Sequence, residues 1–159
     1  MWLSLLEKLN TYDRLQKRSP FMTQSPSWCI LCKQADENLD HLLLHCEYSK
    51  KIWVKAIDLF NIIGAISKKW SEFVIVKWSF KGKRSMKRRM WRLALLAIGW
   101  QIWLERNKRI FEDKSRSVDD LWGVIKFHMG LWARASGVID RSECFLLDLD
   151  CCSFFDSVS

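Results

Sequence analysis

Residues 28–53 read WCILCKQADENLDHLLLHCEYSKKIW. Cys29 and Cys32 are separated by two residues, eight more lie between Cys32 and His41, and four between His41 and Cys46. Two thiolates on one tight turn can face a single ion, and a His and a third Cys brought back by a short loop complete a tetrahedron. Soft sulfur and nitrogen donors with no spare carboxylate point to a closed, structural Zn²⁺ site, because catalytic zinc keeps one position open. His45 competes with Cys46 for the fourth place. On an unbroken helix His41 and His45 would lie about 40° apart, and His41 and Cys46 about 140°. Cys46 therefore requires a distorted first turn or a late helix start. Its thiolate favours it, which leaves His45 as an ordinary exposed residue. On this reading the metal orders residues 19–50, a segment with little apolar core of its own.

The rest of the chain supports a core elsewhere. It has 159 residues, 49% of them apolar, and ten Trp against two Pro. That composition suits a folded chain and argues against extensive disorder. The organisation expected is a zinc-binding domain over 1–60, a Trp-rich helical region over 61–135 packing on it, and a loosely ordered acidic tail over 136–159. The fold class expected is all-α, with a zinc-stapled loop of zinc-knuckle type and a long central helix that is both basic and apolar.

Helical spacing of apolar residues predicts an amphipathic helix over 2–9, a break at Asn10-Thr11, and a shorter helix to about Arg18. Ser19 to Trp28 holds both prolines and reads as a loop. Asn38 or Asp40 can cap a helix whose apolar face is Leu42, Cys46, Trp53, Ile57 and Phe60, with Gly64 ending it or lying just past its end. Residues 65–80 fit either period, and helix is preferred. Met86, Met90, Leu93, Ala97, Trp100, Leu104 and Phe111 then mark a long helix from Lys83, with a second stripe along Trp91, Leu95, Ile98 and Ile102. Two apolar sides predict enclosure between 90 and 104. Ser117 and Asp120 resemble a capping box for a last helix, which carries Val118, Leu121, Trp122, Ile125, Met129 and Trp132 on one face.

Several function classes find no support. The apolar run from Leu93 to Leu104 is twelve residues, interrupted by Gln101, whereas a bilayer span takes about 20. It reads as a buried helix, and no membrane association is expected. Residues 1–20 carry Glu7, Lys8, Asp13, Arg14, Lys17 and Arg18, unlike a secretory signal. A reducing intracellular compartment follows, the nucleus ahead of the cytoplasm, where clustered Cys serve metals more often than disulfides. Cys144, Cys151 and Cys152 have no neighbouring His, so no second metal site is expected. There is no Tyr-x-Asp-Asp sequence and no Gly-rich phosphate loop. Asp119-Asp120 suits the first turn of a helix, and His128 lies beside an apolar stripe in a structural position. No catalytic residue and no small-molecule substrate is expected.

Lys81, Lys83, Arg84, Lys87, Arg88, Arg89 and Arg92 form a basic cluster without an acid among them. It nearly accounts for the net charge of +8. Residues 84, 87, 88 and 92 share one helical face, so phosphates could be met along a line. Nucleic acid is the partner expected. A solvated helix end and a nuclear-import signal remain as alternative uses of the same charges.

The stretch KLNTYDRLQKRSP, followed by residues 28–53, resembles the reverse-transcriptase zinc-binding domain of plant non-LTR retrotransposon polyproteins. The resemblance rests on Leu9, Thr11, Asp13, Leu15 and Arg18, then Cys29, Cys32, Glu37, His41, Cys46, Ser49 and Trp53. Further on, WRLALLAIGWQIWLERNKRIF is similar to a Trp-rich segment with Glu-Arg-Asn near the C-terminus of such polyproteins. The resemblance implies a domain that lies downstream of the polymerase and helps grip nucleic acid, with Cys29, Cys32, His41 and Cys46 as metal ligands. It also implies a remnant that starts inside the domain's first helix and lacks the polymerase and endonuclease domains.

Overall fold

The computed structural model describes residues 9–18, 28–62, 66–78 and 86–138. Over these residues the chain is mostly helical, as its apolar periods predict. The elements are α1 (Tyr12–Arg18), a π-helical turn (His41–His45), α2 (Glu47–Phe60), α3 (Trp70–Trp78), α4 (Met86–Phe111) and α5 (Val118–Ala135). Thr11 opens α1, its carbonyl accepting the amides of Arg14 and Leu15 at 3.0 Å. The helix expected over 2–9, the loop from Ser19, the acidic tail from residue 139 and Gly64 fall outside the described residues, save for Leu9, which is not helical, and Trp28.

Asn61, rather than Gly64, terminates α2. It adopts the left-handed conformation (φ 43°, ψ 57°), and its amide returns to the carbonyls of Ile57 and Asp58. A short polar side chain tolerates that conformation better than most, which suits Asn to the position. In α3, Trp70, Phe73 and Val74 are buried on one side while Ile75 and Val76 face outward. The β-favouring run Phe73–Val76 is thus helical because its bulky residues find a core at helical spacing. The capping box of α5 forms as expected, with the Asp120 amide donating to Ser117 Oγ and the Ser117 amide to the Asp120 carboxylate.

In α4 the enclosure expected between 90 and 104 holds for the second stripe throughout and for the first stripe in part. The residues buried along its middle are Met90, Trp91, Ala94, Leu95, Ala97, Ile98, Gly99, Gln101 and Ile102. Trp100 is 42% exposed and Phe111 78%, while Leu93 and Leu104 are half-buried. Apolar spacing identifies the helix but not which of two stripes turns inward. Ala94, Ala97 and Gly99 lie among the buried residues and leave room for neighbouring helices to come close.

The core is continuous across these elements. Leu42, Leu43, Leu44, Ile52 and Trp53 join Trp70 and Phe73, the inner face of α4, and Leu121, Ile125, Met129 and Ala133 of α5. Trp53 meets Phe73 edge-on, with ring centroids 4.9 Å apart. Cys29, Leu31 and Cys46 belong to the same cluster. The segment carrying the candidate ligands therefore does not lack a core, as its loop-rich sequence suggests: three consecutive leucines insert it into the common one. Among the described residues, no helix is long and apolar enough to cross a membrane.

Candidate metal centre

The loop holding the first two cysteines is a tight reversal. Trp28 and Asp36 form an antiparallel bridge, and the Cys29 amide donates to the Ala35 carbonyl at 2.7 Å. The Lys33 amide returns to the Cys29 carbonyl at 2.7 Å, with Lys33 itself in the left-handed region at φ 56°. This turn places Cys29 and Cys32 on one side.

The next two candidate ligands come from an unusual helix start. Asn38 caps it, its side-chain oxygen accepting the His41 amide at 2.8 Å. Asp40 does not cap here and accepts the Trp70 amide at the start of α3, at 2.7 Å. The Cys46 amide reaches back five residues to the His41 carbonyl at 2.6 Å. Closing the turn over five residues, where an α-helix closes over four, brings position 46 round toward position 41. Cys46 then takes an extended ψ of 134°, and α2 begins after it. This is the distortion that a Cys46 ligand requires. A widened turn leaves carbonyls without regular partners, and side chains of α2 supply them. Ser49 Oγ donates to the Leu42 carbonyl and Trp53 Nε1 to the Leu43 carbonyl, each at 2.6 Å.

The four candidate donor atoms, from Cys29, Cys32, His41 and Cys46, all lie within 4.8 Å of one another. Cys29 Sγ and Cys46 Sγ are 3.8 Å apart, and Cys32 Sγ and His41 Nε2 are 3.3 Å apart. For Zn–S bonds of about 2.3 Å, a tetrahedron has sulfur–sulfur edges near 3.8 Å. The donor set and its spacing therefore fit a zinc ion. Cys29 and Cys46 are fully buried, and all three thiols are unbridged. Cys46 accepts the Cys29 thiol proton and faces the amides of Ser49 and Tyr48 in the first turn of α2, so its pKa is pushed down. The same shared proton, together with burial, pushes the Cys29 thiol up. Three close thiols of which one readily sheds its proton suit a cation. His45 stands apart. Its Nε2 bonds the Lys68 carbonyl at 2.8 Å, and it is half-buried, not the ordinary exposed residue its position suggests.

Residues 1–53 match the family of zinc-binding domains in reverse transcriptase. The match includes all four candidate donors of the metal centre, and among the described residues it ends at Trp53, the indole that completes the π-helical turn. No curated protein and no solved structure matches the chain.

The cysteine loop is clasped by α4 through a charged network that the metal motif did not reveal. Glu37 sits one strand-turn away from the cysteine loop and is 2% exposed. Its Oε1 accepts Arg106 Nη2 at 2.6 Å and the Tyr12 amide at 3.0 Å, and its Oε2 accepts Arg106 Nε at 3.2 Å. One carboxylate thus ties α1, the cysteine loop and α4 together. Arg109, a turn further along α4, donates to the Leu31 carbonyl at 3.3 Å, the Arg116 carbonyl at 3.1 Å and Glu105 at 2.8 Å. Its guanidinium lies 4.6 Å from the Tyr48 ring centroid. The signal in the sequence was a Glu-Arg pair directly following an apolar run, where buried charge demands a partner.

Of the basic cluster, Lys81, Lys83 and Arg84 lie outside the described residues. Lys87 and Arg89 are exposed on the first turns of α4, and Arg88 and Arg92 are half-buried. His128 is structural as expected, its Nδ1 bonding the Val124 carbonyl at 2.8 Å.

Proposed function

We propose that Cys29, Cys32, His41 and Cys46 hold one structural Zn²⁺, and that the chain is a non-catalytic, sequence-tolerant nucleic-acid-binding module of retroelement origin. The observation that carries the metal half is the sulfur–sulfur separation of 3.8 Å within a four-donor group. Metal bound there cross-links the cysteine loop to the start of α2. With all four positions taken by protein, it offers no open site for chemistry. The nucleic-acid half is supported by the exposed Lys87 and Arg89 beside Arg88 and Arg92 on one end of α4. The family match supports the same reading, since a reverse transcriptase works on nucleic acid.

Metal analysis of protein purified without added zinc should return one equivalent per chain; none would overturn the metal assignment. Binding to duplex and single-stranded oligonucleotides at two salt concentrations tests the partner. The triple variant Lys87→Ala, Arg88→Ala, Arg89→Ala should bind more weakly and show a flatter salt dependence. An unchanged slope would remove the cluster from the function. A second reading, a protein-interaction remnant, is favoured by the outward Trp100, Ile75 and Val76. Self-association without oligonucleotide affinity would select it.

A further inference from the structure

Arg109 is none of the four candidate donors, yet it touches both halves of their site. On the side of the first two cysteines, its Nη1 donates to the Leu31 carbonyl at 3.3 Å. That carbonyl shares one peptide plane with the Cys32 amide, and the Cys32 amide faces the Cys29 sulfur. A trans peptide is rigid and planar, its C=O and N–H pointing opposite ways. Holding the carbonyl from α4 therefore aims the N–H at the sulfur.

On the side of Cys46, the same guanidinium lies 4.6 Å from the Tyr48 ring centroid. Its Nη2 donates to the Arg116 carbonyl at 3.1 Å, which also accepts the Tyr48 hydroxyl at 3.1 Å. Tyr48 is thus held at its ring and its hydroxyl, while its amide and that of Ser49 face the Cys46 sulfur. Glu105 fixes the direction of the guanidinium. It is fully buried, and its Oε1 accepts Arg109 Nε and the Arg116 amide, each at 2.8 Å. Its Oε2 is buried with no hydrogen-bond partner among the described residues. A buried carboxylate satisfied on one oxygen is a poor source of stability, which apolar residues of similar volume would supply as well. What it supplies instead is a fixed orientation for the fork of Arg109.

We infer, given zinc at the four donors, that Arg109, held by Glu105, is a positioning residue of the metal centre that aims backbone N–H groups at the sulfurs of Cys29 and Cys46. Three thiolates and one imidazole leave a net negative charge around Zn²⁺, and N–H groups directed at the sulfurs offset it. Groups that orient the donors from outside govern how tightly a metal is held. Arg109 also joins the cysteine loop to the start of α2 without passing through the ion, so the donors stay close when the metal leaves.

The test uses the full chain loaded with Zn²⁺ or, for its absorption bands, with Co²⁺. Arg109→Met should weaken zinc binding about 10–100-fold, read by competition with a chromophoric chelator. Arg109→Lys keeps the charge but not the planar fork, so its affinity should fall between that of Arg109→Met and wild type. In the Co²⁺ form the thiolate-to-metal bands should shift in both variants, since N–H groups facing a sulfur change its electron density. Met129→Ala opens a cavity in the core of α5, which gives no candidate donor, and should move neither readout. Wild-type affinity and bands in the Arg109 variants, or equal changes in Met129→Ala, would overturn the inference and leave the metal assignment standing. A wild-type chain that takes up no zinc overturns both.

Discussion

Cys46 and His45 are neighbours with opposite fates, decided by one widened turn. The amide of Cys46 closes the π-helical ring on His41, while the ring of His45 is engaged by the Lys68 carbonyl. Cys46→Ser should therefore lose stoichiometric zinc while His45→Ala retains it, as metal analysis of the two proteins would show. Tyr48 makes a second prediction at this scale. Its hydroxyl donates to the Arg116 and Ser117 carbonyls at 3.1 and 3.2 Å. Burial first, and the nearby Glu105 carboxylate second, push its pKa up to about 12. A raised folded-state value favours the neutral phenol. Its contribution to stability is complete below pH about 10, the unfolded value, and is lost as pH rises through about 12. Tyr48→Phe should cost about 1 kcal/mol at neutral pH through the lost hydrogen bonds and blunt the alkaline loss of stability, measured by urea melts across that range.

At the level of elements, α4 is both a core helix and the clasp on the cysteine loop. Arg106→Met would leave the Glu37 carboxylate buried without its cation, at a cost of about 3–5 kcal/mol. Adding Glu37→Gln removes the charge but keeps an acceptor for the Tyr12 amide, and should recover much of the loss. Equilibrium denaturation of the single and double variants checks this, and a double variant no better than Arg106→Met would refute it. These elements were legible in the sequence to different degrees. The capping box at Ser117, the start of α1 after Thr11 and the long helix to Phe111 follow from local signals that the fold did not override. The enclosure of α4 between 90 and 104 was legible in its two apolar stripes, but the outward turn of Trp100 was not, because only the partners' shapes decide which members of a stripe are covered. α2 ends at Asn61, three residues ahead of Gly64, because Asn as well as Gly adopts the left-handed conformation. The identity of the partner of Arg106 was hidden for a different reason: Glu37 and Arg106 are 69 residues apart, and nothing local connects them.

For the whole molecule, the donor group was readable because metal chemistry restricts residue type and spacing, whereas its attachment to the core was not. Leu42, Leu43 and Leu44 are fully buried, and the Leu43 carbonyl holds Trp53. Removing zinc with a strong chelator should therefore lower the melting temperature of the whole domain in one transition and shift Trp fluorescence with it. Metal release consumes protons, so acidification should assist the chelator. Loss of local circular dichroism with an unshifted melting temperature would disprove the coupling. The same long-range pairing governs where the polypeptide can be cut. A recombinant fragment stopping near residue 60 would contain every sulfur and imidazole of the centre, yet Glu37 would have no guanidinium opposite it and the three leucines would face solvent. Any transplant of this metal knot into another scaffold must bring the Arg106–Arg109 stretch along, or supply a substitute cation at the same spot.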